Sequence, residues 1–310
     1  MEKPKECFKT SVGGQALMEG IMMRGPEKIC VAVRRPDGTL DMTCEDVKHH
    51  CWQKIPLVRG AAAMIENLVL GYRYLMHSAE VSMPEEAEEE PGRFEKWLGE
   101  HAGPSVQNFF MALAAVCGGL LAIVLFMVLP TAIVGLIDRF LPLGWGKVVL
   151  EGVLKIALFV GYLFLCTRMK EIHRVFEYHG AEHKTIACYE AGEELTVENV
   201  RHHRRFHPRC GTSFMILVLI VSILLFSVLP WSSTGLRVLL KLLLLPVVMG
   251  VSYELIKLAG RYDNLFTRII SAPGLWLQRL TTFEPDDSMI EVAIAAVTPV
   301  LPDHPDEAKW

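Results

Sequence analysis

The chain has 310 residues, 51% of them hydrophobic, and its mean hydropathy of +0.31 exceeds that of an ordinary soluble domain. The formal net charge of −4 excludes the strongly basic stripe that a nucleic-acid partner requires. Eight cysteines form no CxxC pair, two lie in apolar stretches, and the first twenty residues hold no apolar signal-peptide core. The cysteines therefore read as reduced thiols in or near a cytosol and not as a disulfide framework.

In chain order, residues 1–105 read as a cytosolic N-terminal segment. Its first part, 1–55, is β-rich: Lys28–Arg34 is strand-like, Arg35–Thr39 is turn chemistry, and Leu40–Cys44 is the return strand. Val12–Pro26 holds Gly13, Gly14, Gly20 and Gly25, which points to tight turns or close backbone approach. Across 56–78 the apolar residues recur at helical spacing, broken by Arg59, Glu66 and Arg73. That pattern predicts an amphipathic helix on a membrane surface or a helical bundle, not a span. Residues 84–91, acidic and bracketed by prolines, read as a solvated linker.

Residues 106–259 then predict four membrane-spanning helices: Phe109–Ile137, Val148–Cys166, Thr212–Trp231 and Leu236–Leu258. Each reaches about the 20 residues needed to cross a bilayer, and lipid leaves backbone groups no partner outside a helix. Pro130 is placed to kink the first. Short connections make two hairpins. The loop 168–211 carries Arg168, Lys170, Arg174, Lys184, Arg201, Arg204, Arg205 and Arg209, against only Arg139 and Lys147 in one hairpin connection and none in the other. This places the loop and both termini on the cytosolic side of the plasma membrane. Within the second span, Glu151 and Lys155 sit one turn apart and are expected to pair. No charge series or paired broken helices mark a transporter. In the C-terminal segment 260–310, Leu265–Leu280 reads as an interfacial helix interrupted by Pro273. Glu284–Asp287 reads as a turn, Met289–Val297 as a short helix, and the proline-containing end as disordered.

Chemistry concentrates in loop 168–211. His179, Glu182 and His183 form H-x-x-E-H, the inverted zinc-protease pattern. On a helix, residues four apart project from one face, so two imidazoles reach one divalent, zinc-type cation, and Glu182 stands where a carboxylate can take a proton from water. A catalytic zinc site usually has three protein ligands. The expected third is Glu254, near the cytosolic end of the fourth span. Gly180 inside this helix costs it about 1 kcal/mol relative to alanine. A second cluster holds His203, His207 and Cys210, suited to a borderline-soft metal; alternatively, Cys210 is a nucleophile whose thiolate is favoured by nearby arginines and a helix N-terminus. The plain alternative is a basic segment meeting anionic head groups. His49, His50 and Cys51 lack a second pair and are not expected to bind metal.

Four blocks, Val12–Arg24, Tyr178–Lys184, His207–Ser213 and Leu280–Asp287, resemble the YqhQ-like family of bacterial multi-pass membrane proteins. The resemblance covers about residues 10 to 297. It implies a membrane protein carrying a domain of unknown function and described as a predicted metal-dependent enzyme, and it names no reaction. It also makes Glu19 and Arg24 candidates to fold over the site. The expectation is therefore a mainly α integral membrane protein, a four-transmembrane-helix bundle with a small α+β cytosolic part. Its partners are the lipid bilayer and a peptide, lipid or protein of unknown identity. The leading function is a zinc-type hydrolase with His179, His183 and Glu254 as ligands and Glu182 as general base. The alternative is a non-catalytic membrane scaffold or assembly factor whose cytosolic domain binds a partner.

Overall fold

The computed structural model describes residues 8–83, 104–262 and 264–302. The acidic segment 84–91 and the tail beyond residue 302 lie outside them. The chain forms two compact units. One comprises Met1–Met83, Leu163–Ser222 and Leu245–Trp310, and the other Pro84–Tyr162 and Ile223–Leu244.

The first unit opens with a four-stranded antiparallel meander: β1 (Gly13–Leu17), β2 (Gly20–Arg24), β3 (Lys28–Arg34) and β4 (Leu40–Asp46). The β3–β4 hairpin turns at the expected place. Gly38 adopts φ +86°, which glycine reaches without a Cβ penalty, and Asp37 accepts a hydrogen bond from the Thr39 amide at 2.8 Å. The glycine-rich stretch forms the first two strands instead of a run of turns, and only Met18 and Glu19 turn between them. Every residue of Ile29–Val33 is buried because both faces of the sheet are covered. Ile29, Val31 and Val33 pack with Tyr74 of α1 (Val58–Ser82). Cys30 and Ala32 pack with Tyr178 and Ala181 of α5 (Lys170–Glu190) and with Met289, Val292 and Ala296 of α10 (Asp287–Val297).

Cys30 and Cys44 stand opposite each other in the β3–β4 register, Cα atoms 4.2 Å apart, and are joined in a disulfide. This corrects the reading of all eight cysteines as reduced thiols. A cross-strand pair fourteen residues apart carries no spacing signal, because hairpin register alone brings the two sulfurs together. Among the described residues, Cys51, Cys117, Cys166, Cys188 and Cys210 are free.

Among the described residues, three helical stretches are long and apolar enough to cross a membrane: Leu113–Phe140, Gly146–Cys166 and Thr234–Arg261. The first is built from α2 (Pro104–Ile123), a π-helical turn (Val124–Val128) and α3 (Leu129–Phe140). The π turn immediately precedes Pro130, whose ring would clash with the carbonyl one turn back in a regular α-helix. The second and third are α4 and α8. The remaining expected span, Thr212–Trp231, is shorter than predicted. Its helix, α7 (Gly211–Phe226), has 16 residues, about 24 Å, because the chain leaves helical geometry before Pro230. Beyond it, α9 (Leu265–Thr281) starts on an Asn264–Thr267 capping box and runs through Pro273 without interruption. The hydrogen bond lost there belongs to the carbonyl of Ile269, on an exposed turn.

Two segments clamp α5. Asp286 caps α10 by accepting from the Met289 amide at 2.9 Å, and just before it the Phe283 amide donates to the Phe176 carbonyl at 2.9 Å. A Cβ at Gly180 would overlap the Phe283 carbonyl oxygen. The glycine that weakens the isolated helix thus permits the close approach that fixes it. Gly180→Ala should destabilise the protein by roughly 1–3 kcal/mol despite alanine's higher helix propensity, read from denaturant unfolding in detergent. Equal or greater stability would contradict this packing.

Candidate metal centre

α5 carries His179 and His183 on one face, their ring centroids 4.4 Å apart. The Nδ1 atom of His179 lies 2.7 Å from the Thr281 carbonyl, at the C-terminal end of α9 where helix carbonyls lack intrahelical donors. The Nδ1 atom of His183 lies 2.5 Å from the Arg205 carbonyl. A carbonyl only accepts, so each Nδ1 carries the hydrogen, and each Nε2 of a neutral ring presents its lone pair. Metal-ligating histidines are commonly oriented by such a contact on the far nitrogen.

The third group is Cys210, at the N-terminal end of α7, with Sγ 3.0 Å from His179 Nε2. One ligand atom from each of His179, His183 and Cys210 lies within 4.8 Å of the others. His183 and Cys210 are buried, and His183 Nε2 has no hydrogen-bond partner. Glu182 is 5% exposed; its Oε1 accepts from the Gly14 amide at 2.9 Å while its Oε2 is buried and unpartnered. Two buried polar atoms without partners beside a thiol and a second imidazole form a donor set that fits a borderline-soft divalent cation.

The electrostatics follow from this crowding. Burial opposes charge on His179, but the Cys210 sulfur and the Glu182 carboxylate outweigh it and raise the ring to about 9. Burial likewise opposes the Cys210 thiolate, yet His179 and His183 hold it well below the ordinary thiol value. For Glu182 burial prevails over the two histidines, and its carboxyl is raised.

The expected third ligand, Glu254, is engaged elsewhere. Its carboxylate accepts from Arg59 Nε at 2.7 Å and Nη2 at 2.5 Å, so an arginine of α1 occupies it. His203, His207 and Cys210 do not form one site. Cys210 joins the α5 histidines; His203 Nε2 lies 3.0 Å from Glu193 Oε2, in a group that includes Cys188. His207 accepts from Arg209 at 3.1 Å, stacks obliquely 5.6 Å from His183, and stands near Glu190. Glu19, in the β1–β2 turn at φ +49°, accepts from Arg174 at 2.6 Å and Tyr178 at 3.1 Å, and Arg24 pairs with Glu66 at 3.2 Å. Both residues tie the sheet to flanking helices and neither reaches the cluster.

Sequence reasoning missed the supporting contacts. Gly14 supplies an amide, and a Cβ there would meet Met22, Met23 and Glu182. Gln278, fully buried, bonds both the amide (2.8 Å) and the carbonyl (2.7 Å) of His207, and its Nε2 reaches Ser213 Oγ at 3.1 Å. Glu284 pairs with buried Lys184 and with Arg205, fixing the segment whose carbonyl orients His183. The signal available was the set of four blocks: each contributes a group, through Gly14, His179–His183, Cys210 and Thr281.

Burial keeps His207 below its ordinary value of 6.5, against the pull of Glu190. Glu190 itself is lowered from 4.5: burial opposes its charge, but the neighbouring His207 ring, 3.7 Å away, and the charge of Arg209 outweigh it. A depressed folded value means the unfolded chain binds more protons, so both contributions are complete above the unfolded values and are lost as pH falls through the folded ones. Stability should therefore decline as pH drops below about 6.5, and His207→Gln, which keeps an acceptor for Arg209, should flatten the first part of that decline. Thermal midpoints between neutral pH and pH 5 check this; an unchanged slope in the variant would contradict it.

The family of proteins of unknown function termed DUF1385 matches residues 55–303. The chain is also 35% identical over 302 residues to the uncharacterized protein YqhQ of Bacillus subtilis (strain 168), covering 96% of this chain and 94% of that protein. No solved structure matches. On both counts, this chain belongs to the DUF1385 family.

Proposed function

We propose that the protein is a multi-pass plasma-membrane metalloprotein in which His179, His183 and Cys210 bind one zinc-type divalent cation, with Glu182 as general base in a hydrolytic centre on the cytosolic side. The observation that carries this reading is the buried, unpartnered Nε2 of His183, with its Nδ1 already committed to a backbone carbonyl. A thiol–imidazole pair of Cys210 and His179 alone would leave that atom and Glu182 Oε2 without partners. A cation satisfies the imidazole nitrogen, and two imidazoles with one thiolate leave a fourth tetrahedral position open for a water beside Glu182.

When bound, the cation supplies Lewis-acid polarisation of a water or a carbonyl. The chain's own residues do the rest. Gly14 holds Glu182 through Oε1, which leaves Oε2 to take the proton of an attacking water. Burial raises the Glu182 carboxyl above its ordinary value, which makes Oε2 the stronger base. The Thr281 and Arg205 carbonyls hold the rings in a single tautomer. The substrate class we assign is an acyl compound, a peptide or an ester.

The membrane reading rests on the three long apolar helices and on the cationic segment 168–211. Counting α7 as a short fourth crossing gives an even number of spans and keeps both termini on the side of the cationic segment.

The burial of Glu182, His183 and Cys210 favours a second reading, in which the cation only fixes the central segment of a scaffold. Elemental mass spectrometry of detergent-purified protein should find about one zinc per chain. It should be lost in His179→Ala, His183→Ala and Cys210→Ala and retained in Glu254→Ala. No metal after zinc loading, or loss in Glu254→Ala alone, contradicts the ligand set. Glu182→Gln should retain zinc while cells carrying it accumulate the same uncleaved species as cells lacking the protein; a silent Glu182→Gln leaves the scaffold.

A further inference from the structure

The second unit buries a charge cluster of its own. Glu151 of α4 does not pair with Lys155 as the sequence spacing predicted. Its Oε2 accepts from Arg237 at 2.8 Å, and its Oε1 accepts from Lys241 and from Thr131 at 2.7 Å. Lys241 also donates to Thr131 at 2.6 Å. Arg237 donates to the Leu229 and Phe226 carbonyls and stacks 3.9 Å from the Trp231 ring centroid. These charges lie inside the long apolar helices, where ionisable groups are costly and mark function by default.

The charges do not balance. Lys155, Arg237 and Lys241 are 5%, 1% and 0% exposed, and Glu151 is the one carboxylate among them. The other described acid of this unit, Asp138, is bound to Lys147 at 2.8 Å. The Lys155 ammonium makes no hydrogen bond or ion pair among the described residues; it sits over the Phe226 ring, 5.1 Å from its centroid. Arg237 Nε is also buried without a partner. Between these groups lies a cavity of about 10 Å³, lined by Glu151, Gly152, Lys155, Phe226 and Arg237. Gly152 carries no Cβ, and one added there would come within 3.0 Å of Ile223.

We propose that Lys155 and Arg237 form, with this cavity, a binding site for one small monovalent anion of chloride size. Three buried cations against the single carboxylate of Glu151 call for a counter-charge, since an unpaired buried charge is strongly unfavourable. The cavity is small enough to take one small particle and not a phosphate group, and a halide would fill it. Two cationic donors around such a space suit a weakly hydrated monovalent anion and reject a cation.

The full chain in detergent tests this without knowledge of its activity. The thermal midpoint should rise saturably in sodium chloride over sodium gluconate at equal ionic strength, by at least roughly 2 °C, because a ligand bound only by the folded state stabilises it. Bromide should reproduce the rise and phosphate should not. Lys155→Gln, with unchanged circular dichroism, should abolish it. If that variant fails to fold, chloride-35 NMR on the wild type decides: line broadening relieved by bromide supports the site, and its absence overturns it. Equal midpoints in chloride and gluconate, or a chloride response retained in Lys155→Gln, overturn the proposal. So does native mass spectrometry that finds an anionic phospholipid retained by the wild type and lost in Lys155→Gln.

Discussion

Two backbone carbonyls, those of Thr281 and Arg205, hold the two histidines of α5 by their Nδ1 atoms, and the candidate site depends on that constraint. Without it the rings would choose tautomer and rotamer freely, and the Nε2 atoms would not converge on Cys210. The carbonyls come from distant parts of the chain, and each is fixed in turn. Thr281 ends a helix begun by a capping box, and Arg205 sits in a segment braced by Glu284 and followed by the Gln278 clamp on His207. The sheet completes the enclosure through the Gly14 amide on Glu182. A local motif on one helix thereby becomes a buried centre assembled from four separated blocks.

Glycine does comparable work at two of these junctions. Gly180 admits the Phe283 carbonyl against α5, and Gly14 lets β1 approach both β2 and Glu182. In each place the backbone of one segment occupies the volume a side chain would need. The packing energy at these points is modest, yet displacement of a few tenths of an ångström would open the cluster, since metal and catalytic geometries tolerate little slack.

What the sequence revealed was local. The 3.6-residue period and the long uncharged runs announced the helices, turn chemistry announced the β3–β4 hairpin, and the i, i+4 rule put both imidazoles on one face. What it concealed was non-local. Glu254 seemed placed for the metal by its position along a span, but its partner is Arg59, 195 residues away. Glu151 and Lys155 looked like a pair at helical spacing, while Glu151 takes Arg237 and Lys241, 86 and 90 residues distant. Cys210, one of three neighbours in sequence with His203 and His207, lies instead beside His179 and His183, because proximity along the chain carries no information about the fold. Backbone contacts from Thr281 and Arg205 involve no special residue type, so composition holds no trace of them, whereas Gly14 belongs to the glycine-rich stretch that pointed to close backbone approach.

The central claim is a cation held by two imidazoles and one thiolate, and X-ray absorption spectroscopy on the zinc-loaded, detergent-purified chain addresses it directly. The account predicts two nitrogen neighbours at about 2.0–2.1 Å and one sulfur at about 2.3 Å, with the sulfur replaced by a lighter atom in Cys210→Ser. A zinc shell made only of nitrogen and oxygen in the wild type would contradict it.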